Sequence, residues 1–324
     1  MLYPLKFEPI FKEKIWGGDK IKNILKQDFT PLPNCGEAWE ISAIESDSSV
    51  VANGFLKGNT LCELAEIYMD DLLGQKVFTR FGEEFPLLIK FIDAQKELSV
   101  QVHPDDKIAA EKHRCKGKTE MWYIIDSDPD AKLNIGFNKQ MSKKLLKKQI
   151  AQNTIMDALN FVKVRAGDAV FIPSGKVHAI GKGILLVEIQ QSSDITYRLY
   201  DYNRIDENGK FRPLHVEDAL NAIDYNNMDN DLISYSKQQN STNNIVQNSF
   251  FVTNFIDFNQ PLEKIYTLID SFVIYICLSG NAKIVCSEGE QTIQTGECVL
   301  MPAVIEKANI IPEPQCKMLE TYIG

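Results

Sequence analysis

Gly167-Asp168-Ala169-Val170-Phe171-Ile172-Pro173-Ser174-Gly175-Lys176-Val177-His178 reads as a turn, a short apolar strand, a second turn at Pro173 and Gly175, and a histidine delivered just beyond it. Upstream, Leu98-Ser99-Val100-Gln101-Val102-His103 has the alternation of a strand. Side chains two apart on a strand share a face, so Gln101 and His103 point the same way. A third strand, from Met121 to Ile125, has Glu120 at its entrance. One glutamine, two histidines and one glutamate can therefore converge. Two imidazoles, a carboxylate and an amide oxygen suit a divalent ion such as zinc, and the two-histidine, one-carboxylate part also suits non-haem iron. Either histidine alone reads better as a hydrogen-bonded core residue; the joint spacing is what points to metal.

The Gly-x5-Pro-x-Gly-x2-His spacing at 167–178 resembles the second sequence motif of the cupins, small double-sheet barrels whose metal sits in the barrel mouth. Three further blocks narrow the resemblance. They are Ala94-Gln95-Lys96-Glu97-Leu98-Ser99-Val100-Gln101-Val102-His103-Pro104, Gly117-Lys118-Thr119-Glu120, and Glu188 through Asp194 and Tyr197-Arg198-Leu199-Tyr200 to Asp201. With Trp16-Gly17-Gly18 and Gly36-Glu37-Ala38-Trp39-Glu40, they are similar, in the same order, to the short bacterial form of type I mannose-6-phosphate isomerase. Longer members of that family carry Asn-His-Lys-Pro-Glu where this chain has Gly117-Lys118-Thr119-Glu120, so the lysine and glutamate are kept and the flanking shape is not.

The 324 residues, 44% of them hydrophobic, can bury a large core and suffice for two domains. A formal charge of -9 argues against nucleic acid or an anionic membrane as partner. An anionic substrate then needs a local cationic pocket. The first residues, Met1-Leu2-Tyr3-Pro4-Leu5-Lys6, lack the pattern of a signal peptide, and no apolar run approaches the roughly 18 residues of a membrane span, so cytoplasm is the expected location. The seven cysteines form no Cys-x2-Cys pair and read as free thiols.

The expected fold is mainly β: two cupin barrels, jelly-roll-like, with helical insertions. Residues 1–225 form the metal-bearing barrel, 226–248 a linker or long surface loop, and 249–324 a metal-free barrel. Helices are expected from the Thr60 cap onward, over Ser142 to Leu159 and over Pro213 to Ile223. In the carboxyl-terminal unit, turns are expected at Ser279-Gly280-Asn281 and Ser287-Glu288-Gly289. That unit repeats the first: Val164 to Pro173 lines up with Ile293 to Pro302, Gly167 with Gly296, and His178 with Lys307.

The resemblance implies reversible isomerisation of mannose 6-phosphate to fructose 6-phosphate through an enediol, with one zinc per chain on Gln101, His103, Glu120 and His178. Arg198, Lys118 and Glu188 are the candidate catalytic residues; Lys96, Ser99, Trp16 and Arg204 are candidates for binding substrate. Arginine suits bidentate phosphate contact and lysine point-charge pairing. Glu188 alternates with Val187 and Ile189 and so can face the barrel interior, as a proton carrier or as a structural partner of Lys118 or Arg198. Trp16 reads as an aromatic wall for a sugar or as core. His113 reads as solvated and His215 as a surface or capping residue. The residues by themselves also allow an iron cupin oxygenase or a non-catalytic phosphosugar-binding cupin. The expected partner is the phosphosugar, and a monomer is favoured over an oligomer.

Overall fold

The computed structural model describes residues 2–205, 209–227 and 232–324. The first unit contains strands β1 (Ile10–Lys12), β2 (Glu37–Ile41), β3 (Leu87–Ala94), β4 (Val100–Val102), β5 (Glu120–Ser127) and β6 (Lys132–Phe137). It continues with β7 (Leu159–Lys163), β8 (Ala169–Ile172), β9 (His178–Ile180), β10 (Ile184–Gln191) and β11 (Tyr197–Tyr200). These make a six-stranded sheet in the order β8-β5-β10-β3-β2-β1 and a five-stranded sheet in the order β7-β6-β9-β4-β11.

The two-residue period of the strands decides what each face does. On the inner face of the larger sheet, Ile92, Trp122, Val170 and Leu186 pack against Leu133, Ile135 and Ile180 of the smaller one, closing one end of the barrel with apolar side chains. Further along the same strands and in the same phase stand Lys90, Glu120, Glu188 and Gln190, all buried. One end of the interior is thus dry packing and the other a polar mouth. The opposite face carries Phe91, Met121, Val187 and Ile189, which belong to a core shared with Phe255, Ile274, Leu300 and Leu319 of the second unit. Each such aliphatic side chain contributes about 1.5–3 kcal/mol on full burial.

Helix α1 (Leu61–Leu73) begins at a capping box in which Thr60 and Glu63 satisfy each other's amides, as its sequence predicts. Helix α2 (Asp106–His113) follows β4. Two helical expectations shorten. Over 142–159 only α3 (Lys143–Ala151) is α-helical, followed by a single 3-10 turn at Ile155–Ala158, and Leu159 already opens β7. From Pro213 onward, α4 occupies Val216–Ala222.

The second unit comprises β12 (Ser241–Gln247), β13 (Val252–Phe258), β14 (Leu262–Ile265), β15 (Val273–Cys286), β16 (Gly289–Gln294), β17 (Cys298–Met301) and β18 (Lys307–Tyr322). Its path is β12-β13-β18-β15-β16, with β14 on β18 and β17 on β15. Ser241–Gln247 lies inside the segment expected to be a linker; its polar residues alternate with buried Asn243 and Ile245, which fits an edge strand. Of the rest of that segment, Ile233 donates its amide to the Ala169 carbonyl (2.8 Å) and Tyr235 its hydroxyl to the Gly167 carbonyl (2.7 Å), so it clasps the first barrel. The turn expected at Ser279-Gly280-Asn281 is instead a bulge within β15, where Gly280 takes φ 83° and the pairing with β18 shifts register. The chain reverses at Ser287 and Glu288, as expected.

The repetition between units is close. Gly167 and Gly296 adopt φ 88° and 86°, and His178 and Lys307 each open a strand. The order β17-β15-β18-β13 repeats β8-β5-β10-β3. In the first barrel the register aligns Val170, Trp122, Glu188 and Lys90 across four strands. In the second it aligns Val299, Tyr275, Glu320 and Asn254. Glu320 therefore stands where Glu188 stands, and Val273 where Glu120 stands. No helix among the described residues is long and apolar enough to cross a membrane.

Candidate active site

Three neighbouring segments deliver the metal-type side chains. His178, at the start of β9, pairs with Gln101 of β4, and Gly175 donates its amide to the His103 carbonyl at 2.9 Å, tying the turn to the end of β4. That turn needs glycine, because Gly175 sits at φ 82°. Glu120 enters from β5 on the facing sheet. Ligand atoms of His103, Glu120 and His178 lie within 4.8 Å of one another, and all three residues are buried.

Each imidazole is oriented by a backbone carbonyl: His103 Nδ1 is 2.8 Å from the Ile195 oxygen and His178 Nδ1 2.8 Å from the Lys176 oxygen. Those bonds place the ring proton on Nδ1 and leave a lone pair on each Nε2. The two Nε2 atoms face each other at 3.1 Å, with Glu120 oxygens 3.5 Å from one and 3.4 Å from the other. Glu120 Oε1 is buried without a hydrogen-bond donor. Two imidazole lone pairs pointed at each other beside a carboxylate repel unless a cation lies between them. The residues thus fit a divalent ion. Gln101 presents its amide nitrogen to His178 Nε2 at 3.3 Å and its oxygen to Ser99 Oγ at 3.3 Å; a half-turn of the amide exchanges the two.

Burial sets the charges. It drives the His103 imidazole well below its usual range, helped by Lys118 and His178, and His178 down to about 3. It also pushes the Glu120 carboxyl up to about 8, with the charge of Glu188 adding to the effect. Glu188 goes the other way: burial opposes its ionisation, but Lys118 and Lys90 outweigh burial and hold it below the carboxylate range. Lys118 Nζ bonds Glu120, lies 3.4 Å from Glu188 and reaches His103 Nε2 at 3.5 Å. Trp122 Nε1 donates to Glu188 at 3.0 Å.

Lys118 and Glu188 open onto a cavity of about 110 Å³ that Trp16, Ser99, Gln101 and Arg198 also line. Two expected residues lie elsewhere. Lys96 is exposed, its backbone amide bonded to the Trp16 carbonyl at 3.1 Å, and Arg204 is occupied by Asp201 and the Glu97 carbonyl. Five other charged residues, Lys14, Glu37, Lys90, Asp194 and Arg212, line the cavity instead. Lys90 was legible as the one charge at the centre of Leu87-Leu88-Ile89-Lys90-Phe91-Ile92, since a lysine inside a buried strand requires partners. It has them in Glu37 and Glu188, both at 3.7 Å, and Asp194 at 3.3 Å. His113 is exposed, with Nε2 2.7 Å from the Tyr197 hydroxyl, and His215 Nδ1 accepts the Arg198 amide at 3.2 Å.

Residues 4–128 match the family model described as phosphomannose isomerase type I, catalytic domain. The mannose-6-phosphate isomerase ManA of Bacillus subtilis is 46% identical over 223 residues, 68% of each chain. The chain belongs to the type I phosphomannose isomerase family. Another relative, the mannose-6-phosphate isomerase of Streptococcus mutans, is 35% identical over 94% of both chains. Among solved structures, a mannose 6-phosphate isomerase from Bacillus subtilis superimposes with a TM-score of 0.88 at 34% identity, covering 98% of this chain and 99% of that one. The apo form of the Salmonella typhimurium enzyme, at 16% identity, shares the fold with a TM-score of 0.78 over the full length of both chains, 100% of each. The protein is an enzyme of a phosphomannose isomerase family with a cupin fold.

Proposed function

We propose that this protein interconverts mannose 6-phosphate and fructose 6-phosphate through an enediol, holding one zinc ion on Gln101, His103, Glu120 and His178. The reading is carried by the two Nε2 atoms facing each other at 3.1 Å beside a buried, donorless carboxylate oxygen, in a chain of this family. Bound there, zinc supplies Lewis-acid chemistry, dispersing negative charge that develops on the sugar oxygens.

The chain's own residues do the rest. Aldose-ketose exchange moves one proton between neighbouring carbons. Glu188, kept ionised between Lys118 and Lys90, accepts that proton and returns it, while the Lys118 ammonium at 3.4 Å hydrogen-bonds the oxygen that gains charge. Such acid-base work is worth about 10²–10⁴ in rate. Arg198 meets the phosphate, Ser99 offers a hydroxyl beside Gln101, and Trp16 walls the sugar. A cytoplasmic setting accords with seven cysteines that are all free.

The test is fructose 6-phosphate isomerisation by the purified protein before chelation, after it, and after zinc is restored. Activity that vanishes and returns is expected. Turnover that survives complete metal removal would overturn the metal assignment. Binding without turnover would make the protein a phosphosugar-binding cupin, and oxygen uptake by an iron-loaded form an oxygenase.

A further inference from the structure

Two arginines, 198 and 212, face the same cavity. Arg198 is set by backbone alone: β11 pairs it with Gln101, and His215 takes its amide at 3.2 Å and gives one back to its carbonyl at 2.8 Å. No ion-pair partner for its guanidinium is found among the described residues. Burial lowers the proton affinity of that guanidinium, and the charge of Arg212 lowers it further. Like charges brought together over one cavity call for an anion, and a phosphate monoester with its nearly two charges fits the pair.

What holds Arg212 there is Asp201, a residue just past β11 that is only 5% exposed. Its Oδ2 accepts from Arg212 Nε at 2.7 Å, and its Oδ1 takes Nη2 of both Arg212 and Arg204. Two guanidiniums on one carboxylate leave a net positive charge, which must be met elsewhere. Arg204 cannot meet it outward: Nε goes to the Asp201 carbonyl at 3.3 Å, Nη1 to the Glu97 carbonyl, and its face lies 5.4 Å from the Tyr202 ring. Arg212 bonds Asp201 through Nε and Nη2, no hydrogen bond from its Nη1 is found among the described residues, and the residue lines the cavity. Of the carboxylates lining the cavity, Glu37 and Asp194 pair with Lys90 at 3.7 and 3.3 Å and Glu188 lies between Lys90 and Lys118, so each already has an ammonium partner and the arginine pair is where the dianion belongs.

We propose that Arg212 binds the substrate's phosphate together with Arg198, that Asp201 is the positioning residue aiming Arg212, and that Arg204 braces Asp201 without touching substrate. The proposal rests on the phosphosugar reading above. Its test therefore reads two things, fructose 6-phosphate kinetics and the inhibition or binding constant of inorganic phosphate. Arg212→Met should lower kcat/KM at least about 30-fold, with most of the loss in KM, and weaken inorganic phosphate by a similar factor. Arg212→Lys, which keeps the charge but loses the two-point grip on Asp201, should recover part of both. Asp201→Asn should weaken phosphate in the same direction as Arg212→Met, which a purely structural role, visible only in melting temperature, would not do. Arg204→Met should weaken phosphate less than Arg212→Met. Wild-type KM and wild-type phosphate affinity in folded Arg212→Met would overturn the proposal, as would a larger phosphate defect in Arg204→Met. If the wild-type protein does not isomerise the sugar, the parent reading fails by itself. Calorimetric titration of inorganic phosphate into wild type and Arg212→Met still decides the anion site in that case.

Discussion

Replacing His178 by alanine separates what the metal-type cluster costs the protein from what the ion returns. In the metal-free state the imidazole is a mixed asset. Its Nδ1 satisfies the Lys176 carbonyl at 2.8 Å, and its edge packs on Trp122 with ring centroids 5.3 Å apart, but its Nε2 faces that of His103 at 3.1 Å. Removing it strands a carbonyl, at about 1–3 kcal/mol, and relieves a lone-pair conflict, so metal-free stability should fall by only roughly 1–2 kcal/mol. The loaded state differs far more. An ion present at about 1,000 times its dissociation constant stabilises the wild type by about 4 kcal/mol, a rise in melting temperature on the order of 10 °C for a chain of this length. With one ligand of four gone, that zinc-dependent rise should collapse to within about 2 °C at the same zinc concentration. The assay is thermal unfolding of apo and zinc-titrated protein, paired with metal analysis and isomerase activity. A full zinc-dependent shift, near-stoichiometric zinc and normal turnover in His178→Ala would refute the reasoning, since the cluster would not be holding the ion.

Arg198→Lys should raise KM and lower kcat at least about tenfold, about 1.4 kcal/mol of barrier, with zinc content unchanged; wild-type constants would remove Arg198 from the site. Glu40, buried between the barrels near Glu297 and bonded by Gln27, has its carboxyl pushed up to about 8 by burial. A raised folded-state value means the group's contribution is fully present below its unfolded value near 4.5 and is lost as pH rises through about 8. Glu40→Gln should therefore gain stability relative to wild type across that window, and parallel urea midpoints from pH 5 to 9 would sink the idea. In the second barrel, Lys264→Met strands the buried Glu320 carboxylate, whose ammonium partner lies at 2.7 Å, and should cost roughly 3–5 kcal/mol. Pairing it with Glu320→Gln should recover much of that; strictly additive losses would contradict the coupling.

Much of the fold was legible because turn chemistry and strand period are local. Gly167, Pro173 and Gly175 punctuate β8 and β9 where their residue types demand, and Val187 and Ile189 flank Glu188 in the phase that puts it inside. The errors are equally local. Gly280 carries a turn signal, yet a positive φ serves a bulge as well as a reversal, and only the partner strand decides which. Ser241 to Gln247 is polar in composition, and its role as an edge strand depends on β13 lying beside it. At the site, side chains on strands or within two residues of a strand end came together: Gln101, His103, Glu120, His178, Lys118, Glu188 and Arg198. Two other candidates did not join them. Lys96 follows its strand into solvent, and the Arg204 side chain turns back to Asp201, while Arg212 comes forward from farther along the chain.

The shared register of Glu188 and Glu320 constrains how the second barrel could ever regain an ion. Installing glutamate at Val273 would copy Glu120 in name, but it would set a new carboxylate beside Glu320 with nothing between them. In the first barrel Lys118 reaches both carboxylates of the corresponding pair, Glu120 and Glu188. Among the described residues, the ammonium paired with Glu320 is that of Lys264. A metal site there would have to be built around Glu320, which is held by Lys264, Tyr275 and Asn254. One register position thus serves two ends: in the first barrel its carboxylate faces a cavity, and in the second it ties a tyrosine, an asparagine and a lysine into the interior.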